Sequence, residues 1–521
     1  RNRIAIAMSA AEHAAPASAP LTSTGSTVQL QRRPHRRCRL ALAGSTVVVL
    51  VGGICLGIFA AVGHASPQNP TGSSSAFVHL FEWKWSDVAQ ECEEFLGPKG
   101  FQAVQISPPN DHISGSQWWT RYQPVTYDLI SRSGNQSEFA DMVRRCNKAG
   151  VGIYADAVIN HIASGSGTSI SGKPYGNRAT PIYTADDMHH NDGDDSKNCQ
   201  ITNYQNKWNV QYCDLVGLPD LCTACKGVQS KIADYINNMK SIGIAGIRID
   251  AAKHQDAGEL GGIVNRVKDN LFIFQEVIAG AGEAVTPEMY TSLGKVTEFN
   301  FANTLSPNFN VDGKLQYLST FGESWGLMKS DDAVTFLDNH DTQRHDAILT
   351  YKSGNVYQLA NIFMLATPYG YPKVMSSYDF NNADVGPPSF PVHQGGKLSC
   401  AAPMQGVGQG GWICEHRWPA IANMIAWRNS AGTETVTNFQ SVGADTIAFC
   451  RGTKACLAMN RGNNAWQANV KFTVPAGRYC NVIASDDTSN CPVVEVNNDG
   501  SVSFQVPAIG AVAVHVGVQP K

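Results

Sequence analysis

From Phe77 onward, short apolar runs alternate with amphipathic stretches, and this alternation constrains the fold of the chain more than any other feature. The apolar runs predict strands over 77–83, 101–107, 151–160, 244–252, 271–278, 296–301, 333–339 and 373–377. Helical periodicity and capping residues predict helices between them, among others at 86–96, capped by Ser86 and stopped by Gly97-Pro98, and at 138–149, 230–242 and 357–366. Strands joined through helices run parallel, because a parallel pair needs a long crossover. Seven or eight of them fit a closed (β/α)8 TIM barrel better than an open doubly wound sheet, and no GxGxxG motif opens a helix. Two segments break the pattern. Residues 161–219, rich in Gly, Ser, Asn and Asp, exceed a simple loop and read as a small domain inserted after the third strand. Past residue 430 the helices stop, and runs such as 446–451, 467–474 and 511–516 predict a C-terminal antiparallel all-β domain over 431–521. The barrel would then be built from 77–160 and 220–430.

The first 65 residues are different in kind. Residues 1–39 are rich in Ala, Ser, Thr and Pro and cannot support a core, so they read as a disordered tail. The 23 residues from 40 to 62 carry no charge, and 66–76 read as a Pro/Ser/Gly-rich linker. Two readings of the uncharged run stay open: a signal peptide cleaved after the small residues Gly63 and Ala65, or a retained signal anchor. In both the body is exported, and contact with a membrane follows only from the second. Cysteine usage agrees with export. Apart from Cys38 and Cys55, twelve of the 14 cysteines lie in the body, an even number that reads as six disulfides. Cys222 and Cys225 have no second pair that would complete a zinc site.

The net charge is −3, yet residues 1–65 hold seven arginines and one glutamate, so the body is more acidic than the average suggests. Phosphate contacts need clustered Lys and Arg, which argues against nucleic acid and for a neutral or cationic substrate. A monomer is expected.

Carboxylates stand where the apolar strands end. Period-2 alternation puts Arg248 and Asp250 on one face, and Glu276 on the face of Phe272 and Phe274. Asp338-Asn339-His340-Asp341 ends a third strand. A carboxylate at the end of an apolar strand is costly to bury unless it is paired or used. One such acid reads equally well as a helix cap or an ion pair. Three in order on successive barrel strands point to the C-terminal face, where barrel active sites collect.

These blocks identify the resemblance. Asp156-Ala157-Val158-Ile159-Asn160-His161, Leu218-Pro219-Asp220, the run from Gly246 to His254, Phe274-Gln275-Glu276-Val277 and Phe336-Leu337-Asp338-Asn339-His340-Asp341 resemble, in order, the blocks of the α-amylases of retaining glycoside hydrolase family 13. The likeness is nearest to the chloride-dependent animal-type branch and covers roughly Phe77 to Val516. It implies endo-hydrolysis of internal α-1,4 bonds of starch, glycogen or maltooligosaccharides, with retention of the α configuration. Asp250 matches the nucleophile, which must be ionised; Glu276 matches the general acid/base, which must start protonated; Asp341 matches the acid that holds the sugar hydroxyls. Trp118, Trp119 and Tyr122 supply flat rings for sugar faces, and His161, Lys253, His254 and His340 match substrate contacts.

The resemblance also implies a structural calcium ion held by Asn160, Asp220, the His254 carbonyl and, across a variable segment, Gln211. Chloride would be held by Arg248, Asn339 and Lys373, where Lys replaces a frequent Arg and offers a point charge without a planar fork. The Gly-rich mobile loop of animal enzymes is missing after Arg344. Disulfides Cys92–Cys146, Cys199–Cys213, Cys400–Cys414 and Cys480–Cys491 are implied, leaving Cys450–Cys456 and Cys222–Cys225 as local pairs. Two alternatives remain: a related α-glucan hydrolase or transglycosylase, and a membrane-anchored, non-enzymatic amylase-like ectodomain, against which the complete acid set argues.

Overall fold

Eight parallel strands close into a barrel: β1 (Phe77–Leu80), β2 (Ala103–Ile106), β3 (Gly152–Ala157), β4 (Gly246–Ile249), β5 (Phe272–Gln275), β6 (Lys295–Thr297), β7 (Ala333–Thr335) and β8 (Tyr371–Ser376). Each strand pairs with its neighbour in sequence, and β8 closes on β1 with Phe77 opposite Lys373. The structure, a computed structural model, describes residues 75–191, 198–268, 271–345 and 347–521. The expectations for the tail, the uncharged run and nearly all of the linker lie outside the described residues. No described helix is long and apolar enough to cross a membrane.

The crossovers carry α1 (Trp85–Glu91), α2 (Gln136–Lys148), α3 (Lys226–Ile242), α4 (Ala257–Val264), α5 (Phe299–Asn310), α6 (Asn355–Ala366) and α7 (Pro419–Ala431). Among the described residues, the β5–β6 connection has only a 3-10 turn, Pro287–Met289. Several expectations change in detail. Ser86 does not cap α1: the N-cap is Lys84, without a side-chain bond, and a π turn continues the helix over Cys92–Leu96. The strand expected at 296–301 stops at Thr297, because Glu298 accepts the Asn300 N–H and starts α5. All eight strands end before their expected limits, although Asp250 and Glu276 each still donate one backbone bond to the neighbouring strand, to the Ala157 and Ile249 carbonyls at 3.1 and 3.0 Å.

The barrel interior follows the period-2 rule. Phe77, Tyr154, Phe272, Phe274, Val334 and Tyr371 form its lower layer. The Tyr154 and Phe272 rings lie 4.7 Å apart, as do those of Phe77 and Tyr371, each contact adding about 0.5–1.5 kcal/mol beyond burial. Gly246 makes room for this layer, since a Cβ there would sit 2.6 Å from the Phe272 carbonyl and 2.7 Å from the Tyr154 ring. Polar side chains fill the next layer toward the C-terminal end.

The segment over 161–219 holds two short strands, Gly167–Thr168 and Pro174–Tyr175, a short helix, Lys207–Tyr212, and a buried ion pair, Arg178–Asp214. The C-terminal part is all-β, as expected. Its strands are β9 (Val436–Gly443), β10 (Thr446–Arg451), β11 (Ala455–Asn460), β12 (Trp466–Lys471), β13 (Gly477–Cys480), β14 (Val493–Val496), β15 (Ser501–Val506) and β16 (Gly510–His515). In the sheet β9-β10-β11-β16 the strands β10, β11 and β16 are buried on both faces, whereas β9 lies at the partly exposed edge. Ile447, Phe449, Leu457 and Met459 join the barrel core, whereas Ala448, Cys450, Cys456 and Ala458 join a second core under β12 and β15. Arg428 of α7 and Arg451 of β10 donate to the Leu365 and Ala366 carbonyls, both at 3.0 Å, satisfying the buried C-terminal end of α6, the second from across this boundary. The four disulfides the resemblance implied form, and so do the two local pairs left over, Cys450–Cys456 and Cys222–Cys225.

Candidate active site

Alternation carries the lower aromatic layer up into the site. Tyr154 leads to Asp156 on β3, Gly246 to Arg248 and then Asp250 on β4, and Phe272 and Phe274 to Glu276 on β5. The register sets Asp156 opposite Arg248, and Arg248 opposite Phe274. The polar layer is thereby organised around one buried guanidinium. Arg248 Nη1 donates to Asp156 at 2.7 and 2.9 Å and to Asp250 Oδ1 at 2.8 Å. Its Nη2 lies 2.5 Å from Glu276 Oε1 without hydrogen-bond alignment. Glu276 Oε2 accepts the Ala251 N–H at 3.0 Å, and Ala251 can serve this way because it adopts a left-handed conformation, φ 48°.

Three acids thus share one buried cation. Burial pushes the carboxyls of Asp156 and Asp250 upward, with Arg248 pulling both down and Glu276 opposing it. Asp250 Oδ2 is buried and takes no hydrogen bond among the described residues, so one carboxylate oxygen is anchored and the other has its lone pairs bare.

Asp341 joins from β7. His340 Nε2 lies 3.2 Å from Asp341 Oδ2, and the His340 ring stacks on Tyr122 at 5.1 Å. Tyr122 in turn donates to Asp156 Oδ2 at 3.0 Å. Trp118 packs edge-on to both Tyr122 and His340, and its Nε1 donates to the Ala383 carbonyl at 2.8 Å. Trp119, half-buried, donates to Asp384 Oδ1 at 3.2 Å. His161 is buried with Nε2 at 2.9 Å from the Tyr122 carbonyl, where it braces that residue. Lys253 lies 2.8 Å from Glu283 and over the Tyr204 ring, and His254 Nδ1 lies 3.1 Å from the Val210 carbonyl.

The ends of the insertion are pinned side by side, with Leu221 donating to the Asn160 carbonyl at 3.0 Å and Ile162 to that of Pro219 at 3.1 Å. Buried oxygens collect here without partners: Asn160 Oδ1 and Gln211 Oε1 accept nothing among the described residues. Beside them burial pushes the Asp220 carboxyl up to about 7, and His189 Nδ1 lies 2.5 Å from it. Orphaned amide oxygens and a buried carboxylate suit a hard cation. The one His/Cys/Asp/Glu cluster among the described residues with metal-like spacing, His190 with Cys199 and Cys213, has both sulfurs in a disulfide and offers no thiolate.

Lys373 on β8 lies within electrostatic reach of Arg248, and Asn339 follows β7, the neighbouring strand. Asn339 Oδ1 accepts the Asp341 and Thr342 N–H groups, leaving its amide N–H2 as the free donor. Lys373 has no hydrogen bond or ion pair among the described residues; it sits over the Phe336 ring, and burial followed by repulsion from Arg248 lowers it to about 7. Two buried basic side chains and an amide donor suit a small anion.

Residues 99–260 match the family model described as "Alpha amylase, catalytic domain", and 436–517 match "Alpha amylase, C-terminal all-beta domain". An alpha-amylase of Streptomyces violaceus is 42% identical over 478 residues, covering 91% of this chain and 80% of that protein. The chain belongs to the alpha-amylase family. An alpha-amylase-related protein of Drosophila willistoni is 40% identical over 470 residues, 86% of this chain and 94% of its own. The crystal structure of alpha-amylase I from the earthworm Eisenia fetida superposes with a TM-score of 0.78 at 36% identity, covering 85% of this chain and 97% of the earthworm chain. A Glu-to-Gln mutant of that enzyme with maltohexaose gives 0.77 at 37% identity, with the same coverage.

Within this amylase site, sequence reasoning left several residues without a role. Asp156 is the main one: it takes three of the bonds that order the polar layer, and the alternation Tyr154–Asp156 was the signal that could have assigned it. Glu283 and Tyr204 face Lys253 from loops with no periodicity, so no sequence signal marks them.

Proposed function

We propose that the protein is an endo-acting α-amylase that hydrolyses internal α-1,4 bonds of starch, glycogen and maltooligosaccharides with retention. The observation that carries this reading is the shared guanidinium. Arg248 holds Asp250 by one oxygen while the other stays unbonded, and it keeps Glu276 within the same cluster. The bare Asp250 oxygen attacks the anomeric carbon as Glu276 gives its proton to the departing glycosidic oxygen. A glycosyl ester of Asp250 and a shortened glucan with a new hydroxyl result. Glu276, now ionised, takes a proton from water; the water oxygen attacks the same carbon, Asp250 leaves, and two inversions give net retention. Asp341, oriented by His340, bonds the sugar hydroxyls, and Trp118, Trp119 and Tyr122 offer ring faces. The maltohexaose bound by the earthworm relative supports an oligosaccharide ligand for this cleft.

Asn160, Asp220, Gln211 and the His254 carbonyl would hold a calcium ion, which when bound supplies positive charge to their buried oxygens and a cross-link from the insertion to the barrel. Arg248, Lys373 and the Asn339 amide would hold chloride. Six disulfides support an exported protein in an oxidising compartment. Assaying soluble starch with the parent and a Glu276→Gln variant tests the reading: activity falls by about two or more orders of magnitude if proton transfer is lost. A variant as active as the parent overturns the assignment.

A further inference from the structure

Arg344 ends the 3-10 turn Thr342–Arg344 that directly follows Asp341, and it enters none of the roles above. Its guanidinium carbon lies 5.2 Å from the Phe81 ring, 5.0 Å from Trp118, 5.4 Å from Tyr378 and 4.4 Å from Phe380. These rings come from the loops after β1, β2 and β8. The donors of the same group go elsewhere: Nε to the Ala383 carbonyl at 3.1 Å, Nη2 to the Tyr378 hydroxyl at 3.0 Å, and Nη1 to the His340 carbonyl. The Ala383 carbonyl also receives the Trp118 indole N–H, so one acceptor ties the sugar-facing tryptophan and the arginine to the same point.

The connection reaches the reacting centre in two steps. Arg344 holds the His340 backbone; the His340 ring is stacked on Tyr122 and Phe81 and touches the Asp341 carboxylate. The loops themselves meet closely. A Cβ on Gly386 would fall 1.9 Å from the Ser116 carbonyl, so the loop after β8 lies directly on the loop after β2. No glycine occurs between Asp341 and Tyr351, so this turn has no hinge of that kind and its geometry depends on what it is bonded to.

We propose that Arg344 is a positioning residue for glucan cleavage: one guanidinium fixes the Trp118–His340 wall and the turn that carries Asp341. It touches no reacting atom. A planar fork with five donors can serve three acceptors at fixed angles while its faces meet rings; an ammonium cannot. The inference rests on the amylase reading above.

The test measures kcat and KM on a chromogenic maltoheptaoside for the parent, Arg344→Ala and Arg344→Lys, with thermal unfolding of each and chloride held constant. Starch cleavage by the parent in the same assay checks the underlying reading separately. Displacing Asp341 and His340 by a fraction of an ångström to about 1 Å lowers kcat about 10- to 100-fold in Arg344→Ala. The change in KM is smaller, and millimolar guanidinium sulfate restores a several-fold part of kcat. Arg344→Lys keeps the bulk and charge, and therefore the fold, but recovers little activity. Parent-like kcat in Arg344→Lys overturns the proposal, as does a loss in Arg344→Ala that guanidinium leaves unchanged. Should Arg344→Ala not fold, the lysine variant decides alone: lowered kcat at an unchanged unfolding midpoint supports the proposal, and parent-like kcat overturns it.

Discussion

Glu415 and Asp338 make a buried acid pair behind the site, and replacing Glu415 with Gln has a consequence whose sign is unusual. Glu415 is fully buried at the end of the loop after β8, and its Oε2 accepts the Ser377 N–H at 2.6 Å. Asp338 accepts from Tyr357 at 2.8 Å and from Gln343 at 2.7 Å. Burial, then the neighbouring Asp338, pushes Glu415 up to about 8; burial pushes Asp338 up to about 7. Both acids therefore fold protonated. A group with a raised folded-state pKa contributes stability that is whole below its unfolded pKa and lost as pH climbs through the folded one. For Glu415 that window runs from about 4.5 to about 8. The gap corresponds to a ceiling on the order of 5 kcal/mol, and relaxation of the site leaves about half of it. Gln resembles the protonated acid at every pH. Urea unfolding at pH 6 and 9, with calcium and chloride fixed, should find Glu415→Gln close to or below the parent at pH 6 and more stable at pH 9, the difference moving by about 1–1.5 kcal/mol because only the part of the window above pH 6 is sampled. Parallel stability curves for the two proteins from pH 5 to 9 would refute the reasoning.

The anion site gives a second dependence on pH. Burial, then Arg248, lowers Lys373 to about 7, so in the proposed role it would hold chloride as a cation below that pH and lose charge above it. Chloride titration of starch hydrolysis should show weaker activation at pH 8.5 than at 6, and Lys373→Met should remove most of it; equal activation at both pH values counts against the assignment. For calcium, a chelator should lower the unfolding temperature of the parent, by the equivalent of about 4 kcal/mol if the ion is present at a thousand times its Kd. Asp220→Asn should blunt that response, and calorimetry showing identical chelator effects in both proteins rules the site out.

Period and parity explain what was legible in the sequence. Strands and helices alternate with different periods, so the barrel and the acids at 250 and 276 follow from parity, Arg248 joins them two residues before Asp250, and Asp341 was singled out by the resemblance of its block. Strand limits run long because residues such as Asp250 and Glu276 continue apolar runs for only one further backbone bond. The helix over Phe299–Asn310 stayed hidden because its aromatic start reads as strand and Pro307 interrupts its pattern. Contacts made by loops carry no period at all. Lys253 with Glu283, Asp220 with His189, and the rings around Arg344 come together only when the barrel closes.

Retention through a glycosyl ester on Asp250 is the central chemical claim, and the anomeric proton signal of the first maltooligosaccharide released from amylose tests it most directly. NMR spectra taken before mutarotation should show the α anomer first, with β growing in afterwards. A β anomer at the earliest time would mean that water attacks without an enzyme-bound sugar, and the role given to the bare Asp250 oxygen would be contradicted.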